Sequence, residues 1–154
     1  MNAASAQAAL FFLFQGIRDL PEALIHGREE LWLLHLLTGW AYNPETFSEA
    51  AIATYVRAYA QPGGLRGAFE DYRSWREDVA QDQEDKDVKL RCPTLALWGS
   101  EFEAAKIVDM AEIWRGFAED LTTAPIALAG HLPQEERPSA VNGAPTAPLA
   151  PWQG

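Results

Sequence analysis

The stretch Pro93-Thr94-Leu95-Ala96-Leu97-Trp98-Gly99 places a continuous apolar run between a proline and a glycine. A run of this length is typical of a strand buried on both faces, as in a parallel sheet. Apolar residues then recur at helical spacing from Ile107 to Ala118, and a second apolar run starts at Ala124 and leads to Gly130-His131. The order strand, helix, strand predicts a parallel βαβ unit and an α/β fold class.

The part of the chain before residue 89 has helical signals. Leu31 to Leu37 is apolar on nearly all sides, which predicts a helix buried on most faces, with His35 as a core or interface histidine. Pro62-Gly63-Gly64 separates two further amphipathic helices. We therefore divide the chain into a helical part (1–89), a strand-bearing part (90–141) and a proline- and alanine-rich tail (142–154), in which we expect disorder.

Composition narrows the class of partner. The chain has 154 residues, a formal net charge of -10 and a pI near 4.6, which argue against nucleic acid and anionic membrane as partners. The single cysteine, Cys92, excludes an internal disulfide, and we expect it to be buried. No His and Cys cluster has metal-ligand spacing, so we expect no metal. We also expect no cofactor. No basic residue precedes the short apolar stretch Ala8 to Phe14, so we predict a cytoplasmic protein.

Four stretches of the chain, in this order, carry a resemblance to a known enzyme family: Asp19 to Ile25, Phe69-Glu70-Asp71-Tyr72-Arg73, Pro93 to Gly99, and Gly130-His131-Leu132-Pro133-Gln134-Glu135-Glu136. They look like the start of a helical cap, a cap segment with a substrate-facing tyrosine, a late core strand and a catalytic-histidine loop. The chain thus resembles the α/β-hydrolase superfamily, in its haloacetate dehalogenase and epoxide-hydrolase-like branch. This implies a partial α/β-hydrolase fold, with residues 1–89 as the helical cap and 90–141 as the C-terminal part of the core. The resemblance covers residues 10–142, and whether residues 1–9 belong to it is left open.

The resemblance implies specific chemistry. In such enzymes an aspartate on a strand-to-helix elbow attacks carbon, and a histidine then activates the water that hydrolyses the ester. His131 matches that histidine and is implied to be the general base. Tyr72 matches the tyrosine that holds the leaving halide or the epoxide oxygen, although its helical stripe equally fits a core tyrosine. Glu101 and Glu103 are candidates for the acid that orients the histidine, with ordinary loop charge as the alternative.

The sequence also departs from the family. It contains no Gly-x-Asp-x-Gly or Gly-x-Ser-x-Gly elbow, and such hydrolases are roughly twice as long. Dehalogenases of this type place a His-Trp pair where this chain has Ala9-Leu10. We therefore expect the chain to be truncated and to show no activity on fluoroacetate or chloroacetate by itself.

Three interpretations remain open. The first is a truncated hydrolase of the haloacetate dehalogenase type, and the second is an epoxide hydrolase fragment, which a carboxylate reaching His131 would favour. The third is a non-enzymatic interaction protein or a gene remnant. The expected partners are a small-molecule substrate in full-length relatives, and either a second copy of the chain or a complementing polypeptide that carries the nucleophile.

Overall fold

The computed structural model describes residues 3–144, with side chains from residue 10 onward. The predicted disorder of the tail falls largely on residues 145–154, which lie outside the described residues. Asn142 ends a helix and Ala144 is buried, so the folded part runs past the predicted boundary at residue 142. Within the described residues, no helix is long and apolar enough to cross a membrane.

Eight helices and two strands make up the described regular structure, apart from two short 3-10 turns. The helices are α1 (Ala3–Gly16), α2 (Leu20–Ile25), α3 (Glu29–Trp40), α4 (Glu49–Tyr59), α5 (Gly64–Glu84), α6 (Met110–Phe117), α7 (Pro133–Glu136) and α8 (Pro138–Asn142). The strands are β1 (Thr94–Gly99) and β2 (Leu121–Ile126). The predicted break at Pro62-Gly63-Gly64 is confirmed, since α4 ends before it and α5 begins at Gly64.

These elements form two compact units. The helical unit comprises the described residues of Met1–His35 and Glu49–Glu84, and the sheet unit those of Leu36–Ser48 and Asp85–Gly154. The sequence predicted one boundary near residue 89, whereas the structure also places Leu36–Ser48 in the sheet unit. The reason is a long-range contact: this segment is hydrogen-bonded to the loop that carries His131, more than 90 positions later in the chain. The assignment of the two parts as cap and core stays a prediction.

The core of the helical unit forms where α2 meets α5. Ile25, Leu65 and Phe69 are buried together, and Phe69 is completely covered. Leu65 and Phe69 lie four positions apart on α5 and therefore share one helix face. The side chains packed around them are Phe14, Trp32, Tyr59 and Ala68.

Helix α3 differs from its prediction. Leu31 is 69% exposed and His35 is exposed as well, so the helix is not buried on most faces and the interpretation of His35 as a core residue is wrong. The two residues are four positions apart and share a helix face that turns to solvent. Leu33, Leu36 and Leu37 are buried on the opposite side.

The sheet unit contains the predicted parallel pair. Strands β1 and β2 run parallel with Thr94 opposite Leu121 and Gly99 opposite Ile126, and α6 lies between them in sequence. Strand β2 begins three residues before the predicted apolar run, at Leu121, and it ends before Leu128, whose φ of 55° is left-handed. Cys92, in the coil before β1, is exposed rather than buried.

Candidate functional site

The loop after β2 carries His131 and is held by backbone hydrogen bonds. The His131 N–H donates to the carbonyl oxygen of Trp40 at 2.9 Å. Trp40 ends α3, where carbonyl groups lack partners inside the helix, so the loop satisfies one of them. Gly130 permits this approach, because a Cβ atom on it would lie 2.8 Å from the Tyr42 nitrogen and closer still to the Trp40 oxygen.

Two aromatic rings flank the imidazole of His131. The Trp40 ring lies 4.9 Å away between centroids, and the Phe102 ring lies 4.7 Å away. His131 is exposed as a residue, yet these rings remove water from part of its side chain, and this desolvation lowers the pKa of His131 below its ordinary value of 6.5. The imidazole is therefore neutral near pH 7 and has a free lone pair that can accept a proton from water.

The loop after β1 is joined to the loop after β2. The Ser100 N–H donates to the Ile126 carbonyl oxygen, and the Glu101 N–H donates to the Ala129 carbonyl oxygen, each at 2.9 Å. The Ser100 hydroxyl oxygen accepts from the Leu128 N–H at 3.2 Å, which supports the left-handed residue. The two strand ends thus form one hydrogen-bonded platform beneath His131.

Glu136 adds side-chain bonds to the same loop. Its Oε1 atom accepts from the Gly130 N–H at 2.7 Å, and its Oε2 atom accepts from the N–H groups of Tyr42 at 2.7 Å and Asn43 at 3.1 Å. Sequence reasoning assigned no role to Glu136, Trp40 or Phe102. The position of Glu136 in the histidine motif was visible, but its partners 94 and 93 positions away were not.

The candidate orienting acids are engaged elsewhere. Lys106 Nζ lies 3.7 Å from Glu101 Oε2 and 3.1 Å from Glu103 Oε1. Glu101 also accepts a hydrogen bond from the Ser100 hydroxyl at 3.3 Å. No side-chain hydrogen bond links either carboxylate to His131 in the described part of the chain, and their orienting role stays a prediction. For either carboxylate to orient His131, its side chain would have to leave Lys106 and reach the imidazole.

Tyr72 lies on α5 in the helical unit. Its half-buried ring makes edge contacts with Phe11 and Phe12, with centroids 5.6 and 5.3 Å away. Burial raises the pKa of Tyr59, and the proximity of Tyr72 adds to this effect. The ring thus packs against two aromatic side chains, and no hydrogen bond to its hydroxyl is found among the described residues. The substrate-facing and the core interpretations of Tyr72 both stay open.

Two open cavities are present, and neither is lined by Tyr72 or His131. One, of about 650 Å³ in the helical unit, is lined by Tyr59, Leu65 and their neighbours, and Tyr72 does not line it. The other, of about 460 Å³ in the sheet unit, is lined by Tyr42, Leu128 and Glu136 among others, and His131 does not line it. Over residues 3–144, no group of three or more His, Cys, Asp or Glu side chains is placed to hold a metal ion.

Comparison with known proteins places this geometry in a family. A soluble epoxide hydrolase from Corynebacterium sp. (strain C12) is 32% identical over 132 residues, covering 84% of this chain and 45% of that protein. The solved structure of the epoxide hydrolase CorEH matches with a TM-score of 0.83 and 30% identity, covering 97% of this chain and 54% of that one. ALR0039 from Nostoc sp. PCC 7120, described as a putative alpha/beta hydrolase, matches with a TM-score of 0.81 and 30% identity over 99% of this chain and 53% of that one. No protein-family model matches the chain.

The chain belongs to the α/β-hydrolase superfamily and has part of that fold, a helix-rich chain with a small parallel sheet. It spans about half the length of the relatives it matches. The superfamily assignment from sequence is confirmed. The names of the relatives support the epoxide hydrolase alternative better than the haloacetate dehalogenase interpretation.

Proposed function

We propose that this chain supplies the general base and the helical substrate-binding part of an α/β-hydrolase that opens epoxides. The observation that carries the proposal is His131, a partly desolvated imidazole held between Trp40 and Phe102 on the loop after β2. Its lowered pKa keeps it in the form that accepts a proton. A surface histidine without such neighbours would be partly protonated near its ordinary pKa.

The proposed reaction has two steps. In the first, a carboxylate on the catalytic elbow, which this sequence does not contain, attacks an epoxide carbon, the carbon–oxygen bond of the ring breaks, and the oxygen takes a proton from the Tyr72 hydroxyl. In the second, His131 takes a proton from water as the resulting hydroxide adds to the ester carbonyl, and the diol leaves with the carboxylate restored. The imidazolium then loses its proton to solvent, and the Tyr72 phenolate takes a proton from solvent, so both residues return to their starting forms.

Tyr72 is the proposed donor to the epoxide oxygen. A phenol O–H can hydrogen-bond to the oxygen on which negative charge develops, and can then transfer its proton. The hydroxyl of Tyr72 makes no hydrogen bond within the described residues, and its ring is fixed by Phe11 and Phe12. A fixed ring with an unused donor meets the requirement for this role.

Two observations favour epoxide opening over haloacetate hydrolysis, whereas the carboxylate contact to His131 that would also favour it is absent from the described residues. Relatives that cover most of this chain carry the name epoxide hydrolase. The sequence also has Ala9-Leu10 where the resemblance to dehalogenases calls for a His-Trp pair that holds halide. Without these two donors a departing halide would lose much of its stabilisation.

A chimeric enzyme tests the proposal. The matching segment of the Corynebacterium epoxide hydrolase is replaced by this chain, and the purified product is assayed with styrene oxide and with chloroacetate. We expect diol from styrene oxide, little chloride release, and loss of diol formation in the His131→Gln variant. Circular dichroism shows whether each variant is folded. A folded chimera that releases chloride but forms no diol, or that is indifferent to His131→Gln, would overturn the proposal.

A further inference from the structure

We infer that Glu136 is the positioning residue for His131: its carboxylate ties the histidine loop to the end of helix α3 and so sets the environment of the imidazole. This inference rests on the proposed role of His131 as general base. Glu136 itself does not take part in the chemistry, and its effect is transmitted through the backbone of Gly130 and the segment that follows Trp40.

Both carboxylate oxygens of Glu136 are used. Oε1 accepts from the Gly130 N–H at 2.7 Å, and Oε2 accepts from the Tyr42 N–H at 2.7 Å and the Asn43 N–H at 3.1 Å. One side chain therefore satisfies three backbone donors that come from two chain segments. Hydrogen bonds from N–H groups to an ionised carboxylate are shorter and stronger than those between neutral groups.

This pattern of hydrogen bonds requires a side chain with one acceptor oxygen facing Gly130 and another facing Tyr42 and Asn43. An ionised carboxylate has two acceptor oxygens and no donor, so it matches donors on either side. A glutamine of the same length has one acceptor oxygen and one NH₂ group. It can accept from Tyr42 and Asn43 or from Gly130, but its NH₂ group must then face the other N–H without forming a bond.

The three hydrogen bonds of Glu136 act on His131 through two chain segments. Gly130 immediately precedes His131, and Tyr42 and Asn43 follow Trp40 closely in the chain. The His131 N–H is also bonded to the Trp40 carbonyl oxygen at 2.9 Å, and the Trp40 ring lies against the imidazole. Releasing Glu136 should therefore loosen the ring contact that removes water from the imidazole. The pKa of His131 should then rise toward its ordinary value.

Nuclear magnetic resonance on the full chain tests the positioning role of Glu136 without an activity assay. The His131 pKa and the hydrogen exchange of the Gly130, Tyr42 and Asn43 amides are measured in the wild type and in Glu136→Gln. We expect a higher His131 pKa and about tenfold to hundredfold faster exchange of the amides that lose their acceptor. Glu119→Gln is the matched control, since it removes one exposed carboxylate from the same unit and should change neither quantity.

If Glu136→Gln does not fold, the hydrogen bonds to the Glu136 carboxylate can still be detected directly in the wild type. Scalar couplings across the hydrogen bonds, from the three amide nitrogens to the Glu136 side-chain carboxyl carbon, are expected in the wild type. Absence of all three couplings would overturn the inference. So would a folded Glu136→Gln variant with wild-type amide exchange and wild-type His131 pKa.

Kinetics in the chimera separate this inference from the proposed function. If both hold, Glu136→Gln lowers kcat with little change in KM and shifts the acid limb of the pH profile upward. If the chimera has no epoxide activity, the proposed function fails, while the effect of Glu136 on the His131 pKa remains measurable by itself. An unchanged kcat and pH profile in an active, folded Glu136→Gln chimera would count against the positioning role.

Discussion

Gly99 and Gly130 lie so close together that a side chain at residue 99 would collide with the carbonyl oxygen of Gly130. Gly99 is the last residue of β1, and Gly130 immediately precedes His131. The approach brings the end of β1 directly under the histidine loop. Glycine at residue 99 is therefore a requirement of the site's geometry and not of the strand itself.

The Gly99→Ala substitution should be clearly destabilising. Its Cβ atom meets backbone atoms of Ala129 and Gly130 that cannot rotate away, so the loop must move, at a cost of about 1–3 kcal/mol. Urea unfolding measures the loss. Gly116→Ala is the control, because its Cβ meets nothing within 4 Å on helix α6 and should stabilise by up to about 1 kcal/mol. Equal effects at the two positions would refute the close approach.

The lowered pKa of His131 predicts a pH dependence of stability. Well above pH 6.5 neither the folded nor the unfolded protein carries the proton, so His131 contributes nothing. As the pH falls below 6.5 the unfolded state binds the proton first, and stability is lost until the pH passes the lower folded pKa. The His131→Gln variant lacks this loss. Unfolding free energies of both proteins at about pH 7.5 and about pH 5 measure it. A wild-type loss no larger than that of the variant would contradict the desolvation of the imidazole.

Arg73 is expected to be the most sensitive charged residue of the helical unit. Its side chain is 5% exposed and donates at 2.8 Å to Glu22, Glu70 and the Ile17 carbonyl oxygen. Removing its charge leaves the largely buried Glu22 without its short-range partner, so Arg73→Met should cost about 3 kcal/mol by urea unfolding.

Two variants check the cause of that loss. Arg115→Met breaks an exposed ion pair with Glu112 and should cost under about 1 kcal/mol. Adding Glu22→Leu to Arg73→Met should restore much of the stability, because it removes a largely buried carboxylate whose remaining cationic partner, Arg66, lies 3.7 Å away. Equal losses for Arg73→Met and Arg115→Met would show that burial of Arg73 is unimportant.

Exposed leucine side chains on helix α1 predict that the isolated chain self-associates. Leu10 and Leu13, three positions apart on one face, are 69% and 62% exposed. Neighbouring exposed apolar side chains usually mark a contact surface. Sedimentation velocity should show species larger than a monomer, and Leu10→Gln with Leu13→Gln should reduce them. Val88→Gln, an exposed apolar residue of the sheet unit, should not. A monodisperse wild-type monomer would count against this prediction.

The sequence predicted those parts of the fold that leave a pattern among neighbouring residues. An apolar run between Pro93 and Gly99 predicted β1, and a change from helical to strand period predicted the parallel pair. The histidine loop was visible for the same reason. Trp40 and Glu136 were not, because their roles depend on contacts across more than 90 positions, which no local pattern encodes. The core alternative for His35 was wrong because an apolar run does not show which face of a helix remains in solvent.

The most direct test of the central claim, that His131 is the base for ester hydrolysis, follows the His131→Gln chimera through one turnover of styrene oxide. The carboxylate can still open the epoxide, but water is no longer activated. We predict a covalent adduct of one substrate per enzyme by intact-protein mass spectrometry, with a burst of epoxide consumption and almost no free diol. Diol release at the rate of the unsubstituted chimera, with no adduct, would contradict the account.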